Sequence, residues 1–222
     1  QGTYLIWLNI NIQQNLQIFQ KMFHVSRETY QKLEQLVALL NEWQAKFNLV
    51  SNNSLSFVWD RHIADSAQLF KYLSEQVDSV YDVGSGAGFP ALVLAVMAQE
   101  RYPRIKFTLI ESITKKTLYL NEVKTVLNLT NVTIINKRTE DLTLPPADVI
   151  TARAVASLDK LLGYVYKFTT RQTKLIFPKG KSYREELDAA AKMWNFKLEV
   201  CKNETSEDGV VLLLENLRRK SK

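Results

Sequence analysis

Between residues 79 and 101 the chain reads as an apolar run, a glycine loop and a helix. Val80-Tyr81-Asp82-Val83 leads into Gly84-Ser85-Gly86-Ala87-Gly88-Phe89-Pro90, and a helical pattern comes next. Glycines let a backbone turn sharply and approach a ligand closely. Such a loop at the carboxyl end of a first buried strand is where a doubly wound sheet receives a nucleotide. Pro90 suits the first helical turn, where its missing N–H costs nothing. The plainer alternative is a loop that only makes a tight strand-to-helix turn. The chain beyond residue 101 fits the same architecture. Lys106–Ile110, Val132–Asn136, Asp148–Thr151 and Lys174–Phe177 read as buried strands, and 90–101, 114–127, 157–167 and 183–193 read as helices, with a short linker at 138–147. This alternation predicts a mostly parallel sheet with helices on both faces. Phe196–Cys201 and Val210–Glu215, separated by a polar turn from Asn203 to Gly209, predict a hairpin that puts an antiparallel strand at the sheet edge.

The first third differs in texture. Residues 1–75 contain no proline and read as helical. Within 27–50, Tyr30, Leu33, Val37 and Leu40 recur at helical spacing, with Ser26 as N-cap, and a second helix is expected over about 54–73. Two amphipathic helices need a surface to cover, so residues 1–75 are expected to cap a domain formed by 76–222. The apolar run Tyr4–Leu8 is too short for a signal peptide, and nothing approaches the ~20 apolar residues of a membrane span. Cys201 is the sole cysteine, which excludes a disulfide framework and suits a reducing compartment. A soluble, cytoplasmic monomer with no metal site is the expectation. The net charge of +6 has its excess in the last third, partly in Arg218-Arg219-Lys220-Ser221-Lys222. That tail is either solvated or in contact with a polyanion.

The loop spacing narrows the ligand. In a dinucleotide fingerprint counted from Gly84, the third glycine would fall on Phe89, so the pattern is instead Asp-x-Gly-x-Gly-x-Gly. A pyrophosphate favours backbone N–H groups without an adjacent anion. Asp82 suits a cationic or zwitterionic ligand, such as the aminoacyl end of S-adenosylmethionine. Glu111 ends the second strand, where a carboxylate accepts ribose hydroxyls or caps the next helix. Lys137-Arg138-Thr139-Glu140-Asp141 lies after the third strand, at the adenine position.

The fourth strand leads into Ala152-Arg153-Ala154. Amine methylation on adenine uses Asn/Asp-Pro-Pro-aromatic here, and Leu144-Pro145-Pro146-Ala147 has neither the amide nor the aromatic. Pyrimidine-carbon methylation needs a cysteine nucleophile, and Cys201 lies in a late strand. Attack by an available lone pair remains. Guanine N7 carries no proton to remove, so positioning and electrostatics suffice.

The runs Asp82–Pro90, Glu111-Ser112, Arg61-His62-Ile63-Ala64-Asp65-Ser66, Thr151–Leu158 and Lys179-Gly180, with Trp43 and Asn48-Leu49, closely resemble the bacterial small-subunit rRNA methyltransferase G family. The resemblance runs from about residue 27 onward. It implies a class I, Rossmann-like adenosylmethionine-dependent enzyme that methylates N7 of a guanine in the 530 loop of 16S rRNA, with 16S rRNA or the small ribosomal subunit as partner. Carried over, Gly84 and Phe89 line the cofactor pocket, and Asp82 and Gly86 shape it. Glu111 holds the ribose, Thr139 and Glu140 flank the adenine, and Arg153 reaches the cofactor or the base. Arg61, His62, Lys115, Lys116, Arg138 and Lys179 are candidates for RNA contact. Several have plainer readings: His62 as a packing residue, Arg61 paired with Asp65, Lys115 and Lys116 as a solvated helix face. The chain departs from the family pattern at Gln44, Ala91 and Pro178. A same-fold methyltransferase acting on a small molecule or another RNA position is the competing reading, and a non-catalytic nucleotide-binding module a third.

Overall fold

A computed structural model describes residues 12–221, with side chains from residue 17 onward. The run at Tyr4–Leu8 and the final Lys222 lie outside the described residues. Seven strands form one sheet: β1 Ser79–Val83, β2 Lys106–Ile110, β3 Val132–Ile135, β4 Val149–Thr151, β5 Lys174–Lys179, β6 Trp194–Lys202 and β7 Val210–Arg219, in the order β3-β2-β1-β4-β5-β7-β6. The first five pair in parallel, whereas β7 runs antiparallel to both β5 and β6. The expected hairpin therefore forms the edge of the sheet, but its antiparallel member lies one strand in. β7 is the better covered of the two, with Val211, Leu212, Leu213 and Leu214 all buried. β6 exposes Leu198 and Val200.

Helix α5, Ala91–Arg101, explains why a helical cap exists. Every residue from Ala91 to Ala98 is buried, so the helix has no solvent face of its own. A helix apolar all round has to be covered on every side. The sheet takes one side and the cap the other, through α2, Arg27–Gln44. Ser26 caps α2 by accepting from the Thr29 N–H at 3.1 Å, and Tyr30, Leu33, Leu36 and Leu40 form its buried stripe. Thr29 Oγ1 donates to Glu100 and Lys32 Nζ to Gln99, which pins the start of α2 to the end of α5. The Trp43 indole, near the end of α2, donates to Glu122 of α6, Thr114–Val126. Cap and sheet face share one apolar core. A second core on the opposite face gathers Leu161, Leu162, Val165, Phe168 and Trp194.

The second cap helix is not continuous. In place of one helix over 54–73 there is a short α3, Asn52–Leu55, then a π-helical turn Trp59–Ala64, α4 Asp65–Ala67 and a 3-10 turn Gln68–Tyr72. Its polar side chains are spent on contacts across the sheet's carboxyl edge, Asp65 and Gln68 both reaching Asn203. No helix among the described residues is long and apolar enough to cross a membrane.

Candidate active site

The site is built at the carboxyl ends of β1, β2 and β4. The N–H groups of Gly84 and Ser85 donate to the Ile110 carbonyl at 2.9 and 3.0 Å, which ties the start of the loop to β2. Gly86 and Gly88 both hold left-handed backbone, at φ +56° and +84°. A Cβ on Gly86 would meet nothing closer than 3.8 Å, so the loop presents open space at that point. Buried Glu111 closes the frame, with one carboxylate oxygen accepting from the Gly86 N–H and the other from the Ile113 N–H, each at 2.8 Å. Both expected roles are compatible with this. The carboxylate steadies the loop after β2 and retains lone pairs for two hydroxyl donors.

Asp82 lies beneath the loop, 1% exposed. Its Oδ1 accepts from the Thr151 hydroxyl at 2.6 Å, a contact fixed by the register that pairs the two residues across β1 and β4. Its Oδ2 is buried with no hydrogen-bond partner. Burial pushes its pKa up to about 6, against the opposing hydrogen bond from Thr151. An orphaned carboxylate oxygen beside an open glycine cradle fits the cationic end of a zwitterion, and Glu111 fits a ribose diol. These residues therefore suit S-adenosylmethionine. Thr139, buried, and Glu140, exposed, stand on the 3-10 turn Thr139–Asp141 beyond β3.

Arg153 stands beside the site, where its charge acts on Asp82. Its guanidinium enters the cap, donating to the Arg61 carbonyl at 3.0 Å, to Asp65 Oδ2 at 3.2 Å and to His62 Nδ1 at 2.6 Å. A guanidinium only donates, so His62 Nδ1 is the acceptor and the ring proton sits on Nε2, which faces Ser54 Oγ at 3.0 Å. Burial, reinforced by Arg153, lowers the His62 pKa to about 4. His62 also stacks on Phe89, with ring centroids 4.8 Å apart, and Arg153 lies over that same ring. The Phe89 side chain is thus seated under the cap, and its backbone belongs to the loop. Asp65 pairs with Arg153 rather than with Arg61. Its other oxygen accepts from Gln68, Asn203 and Thr205. The Arg-His-x-x-Asp-Ser motif is therefore a polar clasp. Ser66 completes it, donating to the His62 carbonyl.

Beyond β4 and β5 opens a cleft of about 680 Å³, walled by Arg153, Ala154, Lys179, Glu186 and the Asn203–Gly209 turn, with exposed Arg61 among its lining. Lys179 is committed within that wall, to Glu186 at 2.7 Å and the Ala156 carbonyl at 3.3 Å. The remaining predicted cations are scattered. Lys115 lies over the Phe47 ring at 5.0 Å, Lys116 half-buried beside it, and Arg138 exposed beyond β3. Asp65, Asn203, Thr205, Thr151 and Val155 are site residues that single-residue reasoning did not assign. Asp65, Thr151 and Val155 carried a local signal, as members of two of the motif runs, whereas Asn203 and Thr205 carried none.

The model of the family described as rRNA small subunit methyltransferase G matches residues 29–211. The chain belongs to this family. Two relatives named ribosomal RNA small subunit methyltransferase G illustrate the match. One, from Jannaschia sp. (strain CCS1), is 42% identical over 188 residues, 85% of this chain and 89% of the relative. Another, from Paramagnetospirillum magneticum, is 42% identical over 195 residues, 88% of this chain and 92% of the relative. Among solved structures, a SAM-dependent methyltransferase from Aquifex aeolicus superposes with a TM-score of 0.56 at 17% identity, covering 72% of this chain and 92% of that one. A ribosomal protein L11 methylase from Lactobacillus delbrueckii gives 0.54 at 12%, covering 71% and 77%. Those two show the fold. A member of the methyltransferase G family is an rRNA small-subunit methyltransferase whose methyl donor is S-adenosylmethionine, and the residues of the glycine loop suit that donor.

Proposed function

We propose that the chain methylates N7 of a guanine in the 530 loop of 16S rRNA, with the target nucleotide in the cleft beyond β4. One observation carries this reading: the cofactor frame and the cleft meet at a single loop. Val155 lies against Gly84, while Arg153 and Ala154 line the cleft. The donor supplies an electrophilic methyl group on a sulfonium. Asp82 would hold its ammonium end, Glu111 the ribose hydroxyls, and Thr139 and Glu140 would flank the adenine. N7 brings its own lone pair, so the chain's task is to orient the base and exclude water rather than to move a proton. The cleft volume accommodates a nucleotide. Arg61, exposed at the cleft, would take the phosphate of that nucleotide, and Lys115, Lys116 and Arg138 would take phosphates farther along the RNA. His62 and Lys179 would act from inside, as parts of the walls.

The test is transfer of a labelled methyl group from S-adenosylmethionine to small subunits prepared from a strain that lacks the enzyme. N7-methylguanosine is labile to reductive strand scission, which locates it. Scission at one guanine of the 530 loop is expected. Label on an exocyclic nitrogen, a ribose or a guanine elsewhere contradicts the proposal.

A further inference from the structure

The run Arg218-Arg219-Lys220 sits at the end of β7 farthest from the cleft. Val210, at the other end of that strand, pairs with Lys179 in the cleft wall. The ten residues of β7, at a rise of ~3.3 Å each, put Arg219 about 30 Å from that wall. Asn216 interrupts the strand at φ +55°. Lys197 pairs with Glu215 but Asn195 with Arg218, so Asn216 and Leu217 stand opposite Phe196 alone. A bulge of this kind re-aims the side chains that follow it. Arg218 is left opposite Asn195 and Arg219 opposite Trp194, on the two faces of the sheet end.

A neutral group holds each of the three cations. Arg218 donates from Nε and Nη2 to the Asn216 side-chain oxygen, at 3.1 and 3.0 Å. The Arg219 guanidinium lies over the Trp194 ring, 5.9 Å from its centroid. Lys220 Nζ donates at 2.6 Å to the Ala191 carbonyl, in the last turn of the helix Tyr183–Met193, and so offsets the negative end of that helix. Lys192, on the same turn, is exposed. Among the described residues none of these four cations makes an ion pair. Two neighbouring carboxylates are already engaged, Glu215 by Lys197 and Asp159 by the Trp194 indole. A merely solvated tail would leave such long side chains unheld. Here both arginines are ordered, their charge is not neutralised, and each fork keeps donors for the oxygens of a phosphate.

We propose that this end of the sheet is a second docking surface for rRNA, remote from the cleft: Arg218 and Arg219 each take a backbone phosphate of a segment about 30 Å from the target base. Lys192 and Lys220 add to the field. The inference rests on the reading that small-subunit rRNA is the substrate. Contacts to phosphates carry no sequence information, so the surface fixes how the subunit lies on the enzyme and does not choose the base. It raises substrate affinity without touching the cofactor.

The test compares the unchanged full-length chain with a variant carrying Arg218→Gln and Arg219→Gln together. Both are titrated with small subunits from a strain lacking the enzyme, at salt stepped from about 50 to 200 mM, and the bound rRNA is footprinted with hydroxyl radicals. The double variant is expected to bind at least about tenfold more weakly at about 0.1 M salt, with a salt slope shallower by about two, one for each phosphate. It is expected to lose protection of one rRNA segment while keeping protection around the target guanine. Its kcat should hold while KM rises, and its affinity for S-adenosylmethionine should stay within about twofold. An unchanged salt slope overturns the proposal. So does weaker binding with the footprint intact, which would assign the surface to a ribosomal protein, and so does a fall in kcat at unchanged KM. If the double variant does not fold, Arg218→Gln alone replaces it, with an expected slope change of about one. Failure of the unchanged chain to protect any rRNA removes the substrate reading and this inference together. Protection by the unchanged chain that the double variant reproduces in full removes only the inference.

Discussion

The three loop glycines are not equivalent, and substituting them separates stability from binding. In Gly88→Ala the new Cβ would lie 2.1 Å from Leu92 Cδ1, 2.6 Å from Leu92 Cγ and 3.1 Å from Leu120 Cδ2. Both leucines are fully buried, so neither can swing into solvent. Overpacking of this kind costs about 1–3 kcal/mol. The left-handed backbone adds roughly 1–2 kcal/mol for a residue with a Cβ. Together they predict a loss of about 2–5 kcal/mol, which for a chain of this size lowers the thermal midpoint by roughly 5–15 °C. In Gly86→Ala the nearest atom is 3.8 Å away, so only the backbone cost of about 1–2 kcal/mol remains. Its midpoint falls by roughly 2–8 °C. The Gly86 Cβ, however, would occupy the space a ligand must enter, so S-adenosylmethionine binding should be lost there. Differential scanning fluorimetry with and without ligand reads both effects. If Gly86→Ala unfolds as early as Gly88→Ala, or binds ligand like the parent chain, Gly86 does not form an open cradle for the ligand.

Other outcomes arise from the buried ionisable groups and the cleft. The folded Asp82 carboxyl holds its proton to about pH 6, against an ordinary value of 3.8, so its contribution to stability falls as pH rises through that window. Asp82→Asn should therefore flatten that slope, leave the ligand-free chain roughly 1 kcal/mol more stable at pH 7 after the cost of an unpaired amide, and bind S-adenosylmethionine at least about tenfold more weakly; a destabilised variant with unchanged affinity refutes this. His62 has the opposite sign. With a folded pKa of about 4 against 6.5, the unfolded chain binds the extra proton, so stability falls as pH drops from 6.5 toward 4. His62→Gln should lose about 3 kcal/mol less than the parent chain over that interval, measured by denaturant titration at stepped pH. Arg61→Ala should weaken rRNA binding, reduce the salt dependence by about one phosphate contact and leave cofactor affinity within about twofold; an unchanged salt slope would place Arg61 outside the interface.

Much of this fold was legible because its signals are local. The strand runs and intervening helices come from apolar patterning, and Asp82, the glycines and Glu111 from spacing within one βαβ unit. The break in the second cap helix was not legible. The apolar stripe over 54–73 reads as one helix, and the π-helical turn is tied to contacts made across long stretches of chain, by His62 with Arg153 and by Asp65 with Asn203. The same distance hid the partners that hold Arg153. A cation after a central strand reads as standing over the site, and nothing near it in sequence reveals three acceptors waiting in the cap. Gln44 shows the converse. It departs from the family pattern, yet its amide fits the adjoining loop, accepting from the Leu49 and Val50 N–H groups and donating to the Val50 carbonyl.

The proposed activity comes down to a single methyl group at a single ring nitrogen. Mass mapping of 16S rRNA from a strain lacking the corresponding methyltransferase, with and without a plasmid copy of this chain, tests it most directly. One N7-methylguanine in the 530 loop is expected to be absent without the copy and restored by it, and a Gly86→Ala copy is expected to restore little or none. Restoration at another position, or no change at the 530 loop, would contradict it.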